Sequence, residues 1–332
     1  MIWNTRQLIS TMGTLLLVVV FLACSADSKG SRVAKEVGLE PRPFTTHIDG
    51  KWIGNAVCYG PYRDGQSPGG LAPSAGELRE DLDLMLPHWN LLRVYGALGP
   101  SETLLEAIRA AGLNMKVVLG AWIAPDSPEA NRQEVDAAIR LANEYPEVVL
   151  AVSVGNETQI HWSTHKSPVD SLIEHVRRVR ASVSIPVTVA DDFNFWNKPE
   201  SQILAAEIDF ITMHAHPMWN GLQAEFAMDW LKDQIQIVET LHLDVPIVIG
   251  ETGWATSVAD EGEQARLIKG KPGEAEQKRF YDSLRAWADS TRRTAFVFEA
   301  FDENWKGGSN PEEVEKHWGL FKANRSPKAA LH

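Results

Sequence analysis

The feature that most constrains this chain is a repeat of pattern rather than of sequence. From Trp52 onward, short apolar runs alternate with longer amphipathic stretches, as repeated strand–helix units do. The runs are WIGNAVCYG (52–60), NLLRVYG (90–96), MKVVLGAW (115–122), VVLAVSVG (148–155), IPVTVAD (185–191), IDFITMHAH (208–216), VPIVIGE (245–251) and AFVFEAF (295–301). Their mean spacing is about 35 residues, the usual length of one βα unit. Between them, 74–89, 101–112, 131–145, 168–183, 228–243 and 274–290 carry apolar residues at three- and four-residue intervals, the period of a helix with one buried face. Ser74 with Glu77 forms a capping-box signature, and Ser101 and Gly112 bracket the second helix. Eight such units predict an α/β fold, a single (β/α)8 TIM barrel over residues 48–332. A doubly wound sheet is the rival, and the absence of a Gly-rich phosphate turn after the first run favours the barrel.

Residues 1–23 are not part of that fold. One arginine, Arg6, precedes the apolar run LLLVVVFLAC ending at Cys24, which is too short and too interrupted for a permanent span and reads as a secretory signal. Leu22-Ala23-Cys24 resembles a lipoprotein cleavage box, with Cys24 as the lipidated residue. The expectation is export across the inner membrane and a lipid anchor in the cell envelope, as the only link to the membrane. Residues 24–47 are polar and aperiodic and read as a linker. Removing 1–23 takes away one arginine and no acid, moving the net charge from −12 to −13. That charge argues against a nucleic-acid partner. Cys58 would then be the one thiol left besides the lipidated Cys24, too few for an internal disulfide. Twelve Trp against five Tyr supply flat apolar faces that suit sugar rings as well as they suit a core.

In a barrel the chemistry sits where strands end. Those positions hold Tyr59; Arg93 and Tyr95; Trp122; Asn156 and Glu157; Asp191 and Asp192; His214, His216 and Trp219; Glu251 and Trp254; and Glu299, Asp302, Glu303, Trp305 and Lys306. Carboxylates gather at one rim only. Glu157 ends the fourth run and Glu251 the seventh, on opposing walls. Two carboxylates across a cleft can divide glycoside hydrolysis between a proton donor and a nucleophile, and their proximity separates their pKa values. Asn156 is placed to donate to a sugar 2-hydroxyl. Pairing of each glutamate with a buried cation, Arg93 or Lys306, is the plainer alternative.

The motifs VGNE (154–157), ETGW (251–254), FEAFDENWK (298–306) and EKHWGLF (315–321) resemble those of glycoside hydrolase family 17, the β-1,3-glucanases and their transglycosylating relatives. The likeness runs from about Trp52 to Phe321, and CYGPYRDGQSP and LRVYGA are most similar to the bacterial branch. The resemblance implies Glu157 as acid/base, Glu251 as nucleophile, retention of configuration, no cofactor or metal, and hydrogen-bond support of the nucleophile side by Glu299 and Lys306. Tyr59, Arg93, Tyr95, Trp122, Asn156, Asp191, His216, Trp219, Trp254, Glu299, Trp305 and Lys306 are the expected substrate-binding residues, with Trp122, Trp219, Trp254 and Trp305 as stacking platforms. The expected substrate is a β-1,3-glucan of the laminarin type. Plant members carry Tyr-Pro after strand six; here HAHPMW puts His216 in place of that Tyr. Three alternatives stay open: a transglycosylase using the same site, an inactive glucan-binding barrel, and a metal hydrolase built on His214, His216 and Asp302. The metal hydrolase is short of ligands on strands one and five. The sequon NET (156–158) lies at a strand end and carries no weight.

Overall fold

A computed structural model of the chain describes residues 40–332; the expected signal sequence, Cys24 and most of the expected linker lie outside the described residues. Eight parallel strands close into a barrel: β1 Asn55–Cys58, β2 Leu91–Val94, β3 Lys116–Ala121, β4 Val149–Asn156, β5 Val187–Asp192, β6 Phe210–His214, β7 Ile247–Thr252 and β8 Ala295–Val297, with β8 paired to both β7 and β1. These segments are nearly all buried, because barrel strands are covered by side chains within and helices without. That is why they read as unbroken apolar runs. The doubly wound sheet is thereby excluded.

The outer layer follows the predicted helices closely: α1 Ala75–Met85, α2 Ser101–Ala110, α3 Pro128–Glu144, α4 Val169–Ser182, α7 Ala224–Leu241 and α9 Glu274–Thr291. The Ser74–Glu77 capping box forms in full. Ser101 instead is the first residue of α2, after Pro100 at the N-cap position with no side-chain cap bond, and its hydroxyl donates to Gly96 O (2.6 Å). The β5–β6 connection, with no predicted helix, holds the short α5 Phe193–Trp196 and α6 Gln202–Ala205; α8 Gly262–Leu267 precedes α9. No α-helix follows β8 among the described residues. The chain instead runs back across the barrel, bridging Phe301 to Phe321 and Phe321 to Pro327. Arg325 reaches buried Asp81 (2.8 Å) and Lys328 reaches Asp302 (2.8 Å).

A hairpin, His47–Ile48 with Lys51–Trp52, covers the N-terminal end of the barrel, and Thr46 Oγ1 meets Thr294 Oγ1 at 3.0 Å. Cys58 is a free, buried thiol. Burial pushes it up to about 12, so it packs as a small apolar group whose proton is held against Gly250 O. Among the described residues no helix is long and apolar enough to cross a membrane.

Candidate active site

Two local devices bring the glutamates into the mouth of the barrel. At the end of β4, Gly155 (φ +79°) and Glu157 (φ +50°) are both left-handed. A Cβ on Gly155 would stand 3.0 Å from Thr158 Cγ2 and 3.1 Å from Leu172 Cδ1, so glycine fits both the angle and the space. The turn is pinned from below. Asp191 accepts the N–H groups of Gln159 (2.7 Å), Ile160 (3.1 Å) and Asp192 (2.9 Å), and Glu157 N donates to Ala190 O. At the end of β7, Gly250 precedes Glu251. A Cβ there would lie 2.2 Å from Thr212 Cγ2 and 3.0 Å from His214 Cδ2, so the missing side chain lets His214 close on the glutamate.

Glu251 is 6% exposed. Its Oε1 accepts from Arg93 Nη1 (2.6 Å) and Tyr95 OH (2.9 Å), and its Oε2 lies 3.4 Å from His216 Nε2. Arg93 Nη2 also donates to Asn156 Oδ1 (2.6 Å), so one guanidinium spans the two walls. His214 is fully buried between the acids, with Nδ1 2.9 Å from Glu157 Oε1 and Nε2 3.5 Å from Glu251 Oε1. One carboxylate oxygen of Glu157 and one of Glu251 lie within 4.8 Å of each other. Burial by itself would raise the Glu251 carboxyl. The imidazoles of His214 and His216 and the Arg93 guanidinium outweigh it and hold that carboxyl well below the usual range. Conversely, burial would lower His216, but its bond to Glu251 raises it. The site therefore keeps an ionised carboxylate on β7 beside a partly exposed one on β4.

Glu157, His214 and Glu251 stand close enough to share a metal ion, yet the Arg93 guanidinium already occupies the Glu251 oxygen and repels a cation there. Asp302, the further ligand of the His-x-His alternative, is instead committed to Lys328 and to Gly319 N. The β8 segment forms its own cluster. Lys306 Nζ bonds both oxygens of Glu299 (2.7 and 2.8 Å) and lies 2.8 Å from Glu303, which accepts from Trp305 Nε1 (2.9 Å). Among the described residues neither Glu299 nor Lys306 hydrogen-bonds Glu251. The hydrogen-bond support that the resemblance assigns to them comes from Arg93, Tyr95 and His216.

Other expected contacts also move. Tyr59 is buried, its phenol donating to Asp81 (3.0 Å) within the Arg63–Arg325 cluster, and Trp254 is buried against Phe280, donating to Lys271 O (2.9 Å). Neither ring is available to a sugar. Asp191 is spent on backbone amides, and Glu299 is sealed by Lys306. Trp122 and Trp219 are half-buried and Trp305 is exposed. Trp122 lies edge-on to His165 (4.6 Å), and Trp305 to Tyr62 (5.8 Å). His214, Asp192, Glu303 and the half-buried Glu315 are not among the expected substrate-binding residues. The two-residue spacing of His214 and His216, which puts both on one face of a strand, is the available signal for the first.

A closed barrel whose fourth and seventh strands present paired glutamates across its C-terminal mouth defines a glycosidase. The sequence profile of the BtgE/BtgC glycoside hydrolase domain matches residues 56–319, and the chain belongs to that family. It is 28% identical over 279 residues to a glucan 1,3-beta-glucosidase of Arthroderma benhamiae, covering 79% of this chain and 86% of the relative. A glucan 1,3-beta-glucosidase of Schizosaccharomyces pombe is 29% identical over 268 residues, covering 76% and 79%. Among solved structures, an endo-laminarinase from Formosa Hel1_33_131 superposes with a TM-score of 0.75 at 26% identity, covering 84% of this chain and 86% of that one. A β-1,3-glucanosyltransferase of Rhizomucor miehei, crystallised as an active-site mutant with laminaritriose, shares the fold with a TM-score of 0.67 at 23% identity, covering 83% and 96%.

Proposed function

We propose that this glycosidase cleaves β-1,3-glucan by double displacement, with Glu157 as acid/base and Glu251 as nucleophile. The observation that carries the assignment is the approach of the two carboxylates to within 4.8 Å, near the ~5 Å gap of retaining enzymes and too narrow for the water an inverting pair must admit. Glu251, kept ionised, attacks the anomeric carbon while Glu157 gives its proton to the departing glycosidic oxygen. The bond to the leaving sugar breaks and a glycosyl ester on Glu251 forms. Glu157 then takes a proton from the incoming hydroxyl, whose oxygen displaces Glu251 and restores both groups. The incoming hydroxyl belongs to water in hydrolysis and to a second sugar in transfer. The relatives that support the substrate class are a glucan 1,3-beta-glucosidase and an endo-laminarinase. Glu251→Gln and Glu157→Gln are each expected to lower laminarin turnover by about 10³-fold or more, read as reducing ends released. Full activity in either variant overturns the roles. Products longer than a reduced laminari-oligosaccharide substrate distinguish transfer from hydrolysis.

We also propose that Cys24 carries a lipid that holds the enzyme in the cell envelope, on the strength of Leu22-Ala23-Cys24 after the apolar run.

A further inference from the structure

Two adjacent aspartates end β5, and register decides which of them faces the cleft. Asp192 pairs with His214 across β5–β6, and His214 pairs with Glu251 across β6–β7. Paired residues of neighbouring strands point to the same face, so Asp192 shares the inner row of the site's two central groups. Asp191, one step back, points the other way, into the backbone of the β4 turn.

Asp192 is 7% exposed. Its Oδ1 accepts from Asn194 N (2.8 Å) and Asn194 Nδ2 (2.9 Å), capping α5. Its Oδ2 accepts no hydrogen bond among the described residues. Burial pushes the carboxyl up to about 7, the charge of Glu157 adds to the rise, and His216 opposes it. Oδ2 is not sealed from solvent, so water reaches it and a ligand hydroxyl can displace that water as donor.

We propose that Asp192 binds a hydroxyl of the sugar on the leaving-group side of the scissile bond, and of the acceptor sugar that later takes its place. This rests on the glycosidase assignment above. Glu157 hands its proton to the leaving oxygen, so the leaving sugar lies against Glu157. Asp192 stands on the neighbouring strand, with Glu157 as its charged neighbour, and is two strands away from the nucleophile. The free oxygen of Asp192 can accept from a sugar hydroxyl, and the bond is charge-assisted where the carboxyl is ionised, above its raised pKa; a site built to make such a bond discriminates strongly against ligands that lack it.

Asp192→Asn tests this, because asparagine caps a helix as well as aspartate does and keeps the side-chain volume. In a Glu251→Gln background, adding Asp192→Asn is expected to raise the calorimetric Kd for laminaripentaose about tenfold; an unchanged Kd overturns the contact. In the otherwise wild-type enzyme, kcat/KM for laminaripentaose is expected to fall about tenfold or more, while that for 4-nitrophenyl β-laminaribioside, whose leaving group is not a sugar, stays within about threefold. Equal losses on both substrates overturn the leaving-group side. A wild-type enzyme inactive on both substrates would sink the glycosidase assignment itself, a different failure from either of these. A melting temperature matching the wild type shows that the α5 cap has survived the substitution.

Discussion

Arg93 is 2% exposed at the centre of the mouth, and its charge is balanced by Glu251. Removing one member of a buried pair leaves the other uncompensated. Glu251→Ala is therefore expected to lower unfolding free energy by about 3 kcal/mol, and Glu251→Gln, which still offers Arg93 an acceptor, by less. Urea denaturation measures both; an alanine variant as stable as the wild type would show that the pair contributes nothing. The His216–Glu251 contact adds a pH dependence. The folded pKa of His216 is raised above its ordinary 6.5, so its stabilisation is complete below pH 6.5 and is lost as pH rises through the folded value. The melting temperature of the wild type minus that of His216→Gln should be larger at pH 5.5 than at pH 8.5, and a difference independent of pH would refute the linkage. Glu157 and Glu251 were legible in the sequence because a carboxylate that closes an apolar run is costly to bury unless chemistry or a cation employs it. Tyr59 and Trp254 depart from expectation because a strand-end position does not say whether the side chain turns to the cleft or into a neighbouring layer. Asp191 and Asp192 differ only by one step of the pleat, which becomes visible with register.

The β8 connection is held by several cations, and among the described residues one of them bonds only to backbone. Lys316, 5% exposed, donates to the carbonyls of Asn304 (3.0 Å), Lys306 (2.5 Å) and Gly308 (2.6 Å). These carbonyls belong to the segment that carries Trp305 and Lys306. Lys316→Met strands three acceptors, and is expected to cost about 2 kcal/mol or more in stability and to raise KM for laminarin as the segment loosens. Wild-type values of both would show that the segment is held by other contacts. Helices α1, α3, α4, α7 and α9 were readable because an amphipathic period repeats over several turns. The end of β8 was not. Residues 295–301 are apolar almost throughout, but only Ala295–Val297 form regular strand; Phe298 N and Ala300 N still donate to Thr252 O and Cys58 O, while Glu299 and Phe301 meet the returning C-terminal chain at Trp318 and Phe321. Burial by a loop and burial by a strand leave the same hydrophobic signature. The α5 and α6 turns, at four residues each, are too short for any period to register.

At the scale of the whole molecule, topology separates the two ends of the barrel. The glutamates stand at the C-terminal mouth. The first described residues run along the opposite end, where Arg42 N donates to Asp209 Oδ1 (2.7 Å) and its guanidinium to the carbonyls of Ile185 and Arg180. The proposed lipid on Cys24 has a direct check. Cys24→Ser should move the protein from the membrane fraction to the soluble fraction with its specific activity on laminarin unchanged, and an unaltered distribution would refute it. Eight strand–helix units favoured a closed barrel in the sequence, but the hairpin and the returning C-terminal chain were not legible, since both depend on contacts between residues far apart in sequence. The placement of Arg42 sets the point at which the chain joins the barrel. A partner joined ahead of Glu40 therefore attaches on the side of the barrel away from the two glutamates, and leaves their mouth clear.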